Sequence, residues 1–283
     1  MFGIDVAKWQ GVIDWAKVKK DFAILKVTRQ NNSVEESFER NYKGCVANNI
    51  PVGVYRYVYA KTTAEAKAEA NGIVNACKGK NIPYGVWLDM EDKSIKTIGK
   101  QNLTNIINTE AEILKSAGYD VGIYCNLDWY KNVLDSKNLA YPFWIARYPK
   151  VDNGSYNENS TLSPKSFAVA WQYSSKGKVD GIKGNVDMDV LFVPIEEVFG
   201  KKAATVNPVS SNPYSPSRIT LFKGSAGNNV RWLQTELNNR GYNCGKVDGA
   251  FGDKTEKAVK AFQKANGLKQ DGICGPKTLA KLY

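Results

Sequence analysis

The stretch that decides the fold of this chain is residues 84–92, with the sequence YGVWLDMED. Side chains alternate between the two faces of a β-strand, so Trp87, Asp89 and Glu91 share one face. The other face carries Val86, Leu88 and Met90. A strand with aliphatic residues on one face and tryptophan and acids on the other is typical of a strand that is covered on both sides. The alternative is a surface strand whose acids are solvated. We therefore predict a central, buried strand.

Asp89 and Glu91 are the first candidate reactive groups. Because a strand rises about 3.3 Å per residue, carboxyl groups at positions i and i+2 lie roughly 6 to 7 Å apart. Two carboxylates at that separation can flank one small reacting group, an arrangement suited to glycoside cleavage. The sequence contains no histidine, which removes the usual general base of serine and cysteine hydrolases and the commonest zinc ligand. Chemistry in this chain must then rest mainly on carboxylates.

Length and composition limit the classes of protein to which the chain can belong. With 283 residues, of which 43% are hydrophobic, it is long enough for one large domain and one small one. It lacks the run of about 18 apolar residues that spans a membrane, and its first strand-like run begins at Phe2, which leaves no room for a leader. We expect a product made in the cytoplasm without a signal peptide and with no membrane partner.

The cysteines are an odd number, widely spaced and without a Cys-x-x-Cys pair. They are Cys45, Cys77, Cys125, Cys244 and Cys274. This pattern predicts buried thiols rather than a disulfide framework. Cys244 and Cys274 lie in the same small module, and a bond between them is the alternative.

The net charge of +11 is concentrated toward the end of the chain. Residues 1–200 contribute +2, from 25 basic and 23 acidic side chains, and residues 219–283 contribute +6, from 11 basic and 5 acidic ones. A basic module attracts polyanions, either nucleic acid or the anionic polymers of a bacterial surface. No nucleic-acid-binding motif or Arg/Lys cluster accompanies the charge, so we expect no nucleic-acid partner.

Eight strand-like runs, most of them separated by helix-compatible segments, predict an α/β fold of the β/α-barrel (TIM-like) kind. The runs are Phe2–Val6, Phe22–Thr28, Val52–Tyr59, residues 84–92, Val121–Asn126, Phe143–Tyr148, Phe167–Tyr173 and Asn185–Leu191. The predicted helices are Glu35–Asn48, Thr63–Lys78 and Gln101–Ser116. Residues 149–165 predict a loop, so the barrel should be irregular.

Acids recur on the non-aliphatic faces of these strands. Asp5 lies on that face of the first run, and Asp187 and Asp189 lie on that of the eighth. In a closed barrel these faces point inward, with the site at the C-terminal ends of the strands. The Asp187-x-Asp189 pair could instead indicate calcium, but no glycine-containing loop with further oxygen ligands surrounds it, and we predict no metal.

The end of the chain predicts a linker and a second domain. Residues 201–218 are rich in proline and serine, which favours an extended linker. Residues 219–283 contain the repeat Asp-Gly-x-x-Gly-x-Lys-Thr at 248–255 and 271–278. Each copy predicts a tight turn followed by a capped helix. The predicted organisation is therefore a barrel domain over residues 1–200 and a small three-helix domain over residues 219–283.

These motifs resemble two known families. The first domain resembles glycoside hydrolase family 25, the lysozymes that cleave bacterial peptidoglycan, and the tail is similar to the common peptidoglycan-binding module. The first resemblance rests on Gly3-Ile4-Asp5-Val6, Leu88-Asp89-Met90-Glu91, Gly122-Ile123-Tyr124, Trp144-Ile145-Ala146-Arg147-Tyr148 and Trp171-Gln172-Tyr173. One motif departs from the family pattern, because Lys26-Val27-Thr28-Arg29-Gln30 stands where members often have Lys-Ala-Thr-Glu-Gly.

The resemblance implies roles for four acids. Glu91 matches the family's general acid/base and Asp89 its partner carboxylate, while Asp5 and Asp187 match further acids around the site. Burial beside Trp87 and the charges of the other acids would raise the pKa of Glu91 and keep it protonated near neutral pH.

The resemblance also implies sugar-binding aromatics and a mechanism. Tyr57, Tyr124 and Trp144 resemble the family's sugar-contacting side chains, with simple barrel packing as the alternative. In the mechanism that we favour, the substrate's own N-acetyl oxygen attacks the sugar carbon and Asp89 orients it. An inverting route, with Asp89 or another acid activating water, is the alternative.

The predicted function is a muramidase that hydrolyses the bond between N-acetylmuramic acid and N-acetylglucosamine. We expect a phage or prophage endolysin that acts on the cell wall after release, with peptidoglycan as its partner, no cofactor and a monomeric state by default. A catalytically inactive wall-binding protein is the alternative, which Arg29 favours. An amidase or endopeptidase fits the tail but not the absence of histidine.

Overall fold

The computed structural model describes residues 1–199, 212, 214 and 220–282. The chain separates into two compact units, Met1–Lys202 and Ala203–Tyr283. The linker predicted over residues 201–218 lies outside the described residues except for Asn212 and Tyr214.

The first unit is a closed barrel of eight strands that neighbour one another in sequence order. The strands are β1 (Phe2–Val6), β2 (Phe22–Lys26), β3 (Val52–Tyr57), β4 (Val86–Asp89), β5 (Val121–Asn126), β6 (Phe143–Ala146), β7 (Ala170–Gly177) and β8 (Val186–Leu191). Strands β1 to β7 run parallel, whereas β8 is antiparallel to both β7 and β1. The prediction of an irregular eight-stranded barrel is confirmed.

Three long helices cover part of the outer wall. They are α1 (Phe38–Ala47), α2 (Thr63–Cys77) and α3 (Lys100–Ser116), and the four-residue α4 (Ile195–Val198) follows β8. A π-helical turn, Trp129–Val133, follows β5. Residues 147–169, all of them described, contain no helix, as the sequence predicted for the connection between β6 and β7.

Local chemistry explains where the helices begin and end. At the start of α2, Thr62 Oγ1 accepts a hydrogen bond from the Glu65 N–H at 3.2 Å and Glu65 Oε2 accepts one from the Thr62 N–H at 3.1 Å, a capping box. Helix α1 begins three residues later than predicted. The carboxylate of Glu35 instead accepts a hydrogen bond from the Ser37 N–H at 2.8 Å, and the Glu35 N–H donates to the Val27 carbonyl at 2.9 Å.

The seventh strand differs most from its prediction. Phe167 lies outside β7 because the N–H groups of Phe167 and Ala168 both donate to the Pro164 carbonyl, which forms a turn. The strand continues instead to Gly177, where it pairs with β8 through two register shifts.

A buried ion pair joins β3 to α2 on the outside of the barrel. Arg56, 0% exposed, lies 3.0 Å from Glu69 Oε1 and also donates to Thr28 Oγ1 at 2.9 Å and Asn32 Oδ1 at 2.7 Å. Nearby on α3, Glu110 is also 0% exposed. Arg56 therefore connects the loop after β2 to the helix layer.

The second unit contains three helices, α5 (Asn228–Asn239), α6 (Asp253–Ala265) and α7 (Pro276–Leu282), as predicted. Its buried cluster includes Trp232, Leu233, Phe251 and Phe262. Helix α6 begins after Gly252, which occupies the N-cap position and makes no side-chain hydrogen bond. All five cysteines of the chain are buried free thiols. Among the described residues, no helix combines the length and the apolar character needed to cross a membrane.

Candidate active site

A cavity of about 280 Å³ opens at the end of the barrel where strands β1 to β7 finish. It is lined by Asp5, Trp9, Lys26, Tyr55, Tyr57, Asp89, Glu91, Tyr124, Trp144, Tyr148, Gln172 and Asp187. All seven predicted site residues are in this set. The fold therefore brings acids and aromatic residues that lie between positions 5 and 187 of the sequence into one cavity.

Strand register explains how the walls of the cavity form. Asp89 lies opposite Tyr57 of β3 and Tyr124 of β5, and Asp5 lies opposite Asp187 of β8. Strand β4 ends at Asp89, so Glu91 lies just beyond it rather than within an ideal strand. Both acids nevertheless line the same cavity.

Glu91 is arranged to hold a proton. Burial raises its pKa, the negative charge of Asp187 raises it further, and the ammonium of Lys26 opposes the rise. Trp87 is not among the residues that line the cavity; it is 2% exposed and packs edge-to-face on Trp144 at 5.7 Å. A partly buried carboxylic acid of raised pKa can donate a proton to a leaving oxygen.

Asp89 is buried and incompletely hydrogen-bonded. Its Oδ1 atom has no hydrogen-bond partner in the described part of the chain. Burial and the charge of Glu91 raise its pKa well above the usual range, and Lys26 again opposes the rise. The Lys26 ammonium lies 5.7 and 5.5 Å from the ring centres of Tyr55 and Tyr57. Because Asp89 also lines the cavity, its carboxylate can accept a hydrogen bond from a ligand N–H group.

Family models match both units of the chain. Residues 4–182 match the model of glycosyl hydrolases family 25, and residues 226–282 match that of a peptidoglycan binding domain. The chain belongs to glycosyl hydrolase family 25. It is a lysozyme-type glycoside hydrolase, an N-acetylmuramidase whose substrate is peptidoglycan.

Relatives and solved structures agree with this assignment. The autolytic lysozyme of Clostridium acetobutylicum is 28% identical over 291 residues, which cover 98% of this chain and 77% of the relative. The CTP1L endolysin has a TM-score of 0.56 at 27% identity and covers 70% of this chain and 69% of its own. The catalytic domain of endolysin ply40, from bacteriophage P40 of Listeria monocytogenes, shares the fold with a TM-score of 0.60 at 24% identity, over 71% of this chain and 97% of its own.

Gln172 is a central residue of this lysozyme's site that the sequence analysis used for the resemblance but did not assign. Its Oε1 atom accepts hydrogen bonds from the hydroxyl of Tyr124 at 2.7 Å and from the hydroxyl of Tyr148. Its Nε2 atom donates to Asp5 Oδ2 at 2.6 Å. Strand alternation from Ala170 places Gln172 on the inward face, a signal that could have identified it.

Asp187 and Asp189 have different surroundings. Asp187 lines the cavity, and burial together with the charge of Asp152 raises its pKa to about 6. Asp189 is 1% exposed and accepts a hydrogen bond from Trp144 Nε1 at 3.1 Å. Trp144 therefore both lines the cavity and packs in the barrel interior, and its contact with a sugar stays a prediction.

Arg29 does not enter the lysozyme's cavity. Its side chain is exposed and pairs with Glu36 at 3.0 Å, and it is absent from the cavity lining. The departure from the family motif at Arg29 therefore does not alter the acids that line the cavity. Arg29 no longer favours the alternative of an inactive wall-binding protein.

Four further residues line the cavity that the sequence had not assigned to the site: Lys26, Tyr55, Tyr148 and Trp9. Lys26 ends an otherwise apolar strand, and Tyr55 shares its face with Tyr57. Both patterns are visible in the sequence. Trp9 is 80% exposed, which makes it a large aromatic surface at the rim.

Proposed function

We propose that this lysozyme cleaves the β-1,4 bond between N-acetylmuramic acid and N-acetylglucosamine with Glu91 as general acid/base and with the substrate's own N-acetyl group as nucleophile. The observation that carries the proposal is Asp89, a mostly buried acid that lines the cavity together with Glu91. An acetamido N–H of a sugar in the cavity is a suitable donor to its carboxylate.

The steps follow from these two acids. Glu91 gives its proton to the leaving oxygen as the bond to the sugar carbon breaks, and the N-acetyl carbonyl oxygen forms the new bond to that carbon. Asp89, as the anion, stabilises the positive ring that results, and this charge favours ionisation of Asp89 despite its burial. Water then attacks the sugar carbon as the bond from that carbon to the N-acetyl oxygen breaks, and the Glu91 carboxylate takes a proton from the water.

Asp5, Asp187 and the aromatics complete the proposed site. Asp187 supplies negative charge beside the developing positive sugar. Gln172 holds Asp5 in place, and burial together with the charges of Asp187 and Asp189 raises the pKa of Asp5 well above its usual range. Tyr57, Tyr124 and Trp144 are proposed to contact the sugar rings.

The test follows the product and the partner acid separately. Mass spectrometry of digested walls should show muropeptides that end in reducing N-acetylmuramic acid, whereas free stem peptides would indicate an amidase. NMR of the first product should show retained β configuration. Asp89→Asn should lose most of its turnover, and a mild loss or an inverted product would rule out the N-acetyl mechanism.

The tail and the biological setting complete the proposal. We propose that residues 219–283, of which residues 226–282 match the peptidoglycan-binding family, anchor the enzyme to the wall. We also propose that the protein acts there after release as a phage or prophage endolysin. The 27% identity to the CTP1L endolysin supports this setting. A prophage origin would be tested by whether the gene is transcribed with phage late genes after induction.

A further inference from the structure

The repeated motif of the tail forms a turn around a buried glutamine. In the first copy, Gln234 Nε2 donates to Asp248 Oδ1 at 2.8 Å, the Ala250 carbonyl at 3.1 Å and Thr255 Oγ1 at 3.2 Å. Its Oε1 accepts from the Gly249 N–H at 2.8 Å.

The second copy reproduces this network. Gln263 Nε2 donates to Asp271 Oδ1 at 2.8 Å, the Ile273 carbonyl at 2.9 Å and Thr278 Oγ1 at 3.1 Å, and its Oε1 accepts from the Gly272 N–H at 2.9 Å. Both glutamines are 1% exposed. These hydrogen bonds use the Asp, the first Gly and the Thr of each motif, whereas the motif lysines, Lys254 and Lys277, take no part in them.

The copies differ in the length of chain that encloses the glutamine. Gln234 and Asp248 are 14 residues apart, whereas Gln263 and Asp271 are 8 apart. In the longer connection, the Cys244 thiol packs 3.3 Å from the Gln234 carbonyl oxygen. In the second copy, Gln263 lines a cavity of about 490 Å³.

The chemistry of this cavity is cationic and apolar. Leu268, Ile273 and Pro276 supply apolar surface, and Ile273 is 43% exposed. Lys269 and Lys277 also line the cavity, and no ion pair in the described part of the chain includes either of them. Among the lining residues Asp271 is the one acid, and its Oδ1 already accepts bonds from the turn.

Two positions differ in charge between the copies. Asp253 and Glu256 stand where the second copy has Pro276 and Leu279, and Lys223 pairs with both acids, at 3.7 Å from Glu256.

The lysines themselves are shared, because Lys246 and Lys254 of the first copy correspond to Lys269 and Lys277 of the second. The first copy therefore carries two acids that would repel an anionic ligand, whereas the second copy has neutral residues at those two positions.

We propose that this cavity of the second repeat binds the stem peptide of peptidoglycan, with Lys269 and Lys277 pairing with peptide carboxylates and the apolar residues contacting its methyl groups. The inference rests on the proposed wall anchoring and names the part of the wall that is recognised. No aromatic side chain is among the described residues that line the cavity, so it lacks the flat ring on which a sugar would stack. Peptide therefore fits it better than glycan.

The test uses the full chain and a synthetic stem pentapeptide, which contains no glycosidic bond to cleave. Calorimetric titration should detect binding to the wild type, and Lys277→Glu should weaken it about tenfold, because charge reversal replaces an attraction by a repulsion. Lys254→Glu, the equivalent change in the first repeat, should stay within about twofold of the wild type. Thermal unfolding of residues 219–283 carrying either substitution, at the temperature of the unsubstituted tail, would show that both variants are folded.

Several outcomes separate this inference from the anchoring itself. If the pentapeptide fails to bind, if Lys254→Glu weakens it as much as Lys277→Glu, or if a dimer of N-acetylglucosamine competes for the cavity, the stem-peptide assignment is wrong. Sedimentation with purified walls tests the anchoring independently, by comparing the full chain with residues 1–200. If the full chain sediments with walls better than the truncated chain but does not bind the pentapeptide, the anchoring is supported and the stem-peptide assignment is wrong.

Discussion

Glu91 is the residue on which the proposed reaction depends most. Glu91→Gln keeps the shape of the side chain but removes its proton, so turnover should fall by at least the roughly 10²- to 10⁴-fold that general acid catalysis contributes. Initial rates on a soluble glycan measure the effect. Glu112→Gln, the same change on the exposed side of α3, is the matched control and should behave as the wild type. Near-normal activity of Glu91→Gln would contradict the assignment.

Asp187 should make the stability of the barrel depend on pH. Its folded-state pKa of about 6 exceeds that of an unfolded aspartate, so the folded protein binds more protons between about pH 4 and 6. The contribution of Asp187 to the free energy of unfolding is fully present below the pKa of Asp187 in the unfolded chain. It is lost as the pH rises through the pKa of Asp187 in the folded chain, a change of up to about 3 kcal/mol.

Urea unfolding at several pH values measures this dependence. The free energy of unfolding of the wild type should decline from pH 4 to pH 7, and Asp187→Asn should reduce the decline. Asp14→Asn, a change at an exposed carboxylate, should leave the decline unchanged. Equal slopes for the wild type and Asp187→Asn would show that Asp187 does not titrate as proposed.

At the scale of elements, the junction of β3 and α2 should depend on one buried ion pair. Glu69→Gln leaves the Arg56 guanidinium buried without its counter-charge, which should cost about 3 to 5 kcal/mol of unfolding free energy. Because Arg56 also holds Thr28 and Asn32, the loop after β2 should lose protection from amide hydrogen exchange.

Glu110 provides the matched comparison in the same layer. Both of its carboxylate oxygens lack a hydrogen-bond partner in the described part of the chain, and burial raises its pKa well above the usual range. Replacement by methionine, of similar shape, should be neutral or stabilising, since no hydrogen bond is lost. If Glu110→Met destabilises as much as Glu69→Gln, the two acids share one network and our separation of them is wrong.

The elements also show what the sequence could predict. Period-two alternation located all eight strands, and Thr62 with Glu65 located the start of α2, because these signals are local. The same alternation predicted the inward acids. It did not predict the late start of β7, which depends on a turn at Pro164. Nor did it predict the role of Gln172, which depends on hydrogen bonds to side chains of β1, β5 and the loop after β6.

At the scale of the whole molecule, cleavage and anchoring should be separable. The proposed catalytic acids precede residue 190 and the peptidoglycan-binding match begins at residue 226. Residues 1–200 alone should cleave a soluble glycan almost normally but lyse walls less well, since a tethered second site can raise apparent affinity by roughly 10²- to 10⁴-fold. Turbidity loss at low enzyme concentration measures this difference.

The basic tail gives the same experiment a second readout. If its charge contributes to wall binding, sedimentation of residues 219–283 with walls should weaken as added salt shortens the screening length. A tail that fails to bind at low salt, or a truncated enzyme that lyses walls as well as the full chain, would show that the tail has another role.

The pairing of the first strand with the last has a consequence for how the enzyme comes into being. Asp5 meets Asp187 only when β1 and β8 close the barrel, so a chain still being translated cannot assemble the cavity until residue 191 has left the ribosome. A nascent or prematurely terminated product would carry Asp89 and Glu91 without the opposite wall of the site. Wall-degrading activity should therefore arise in one step, when β8 has been synthesised and pairs with β1 to close the barrel.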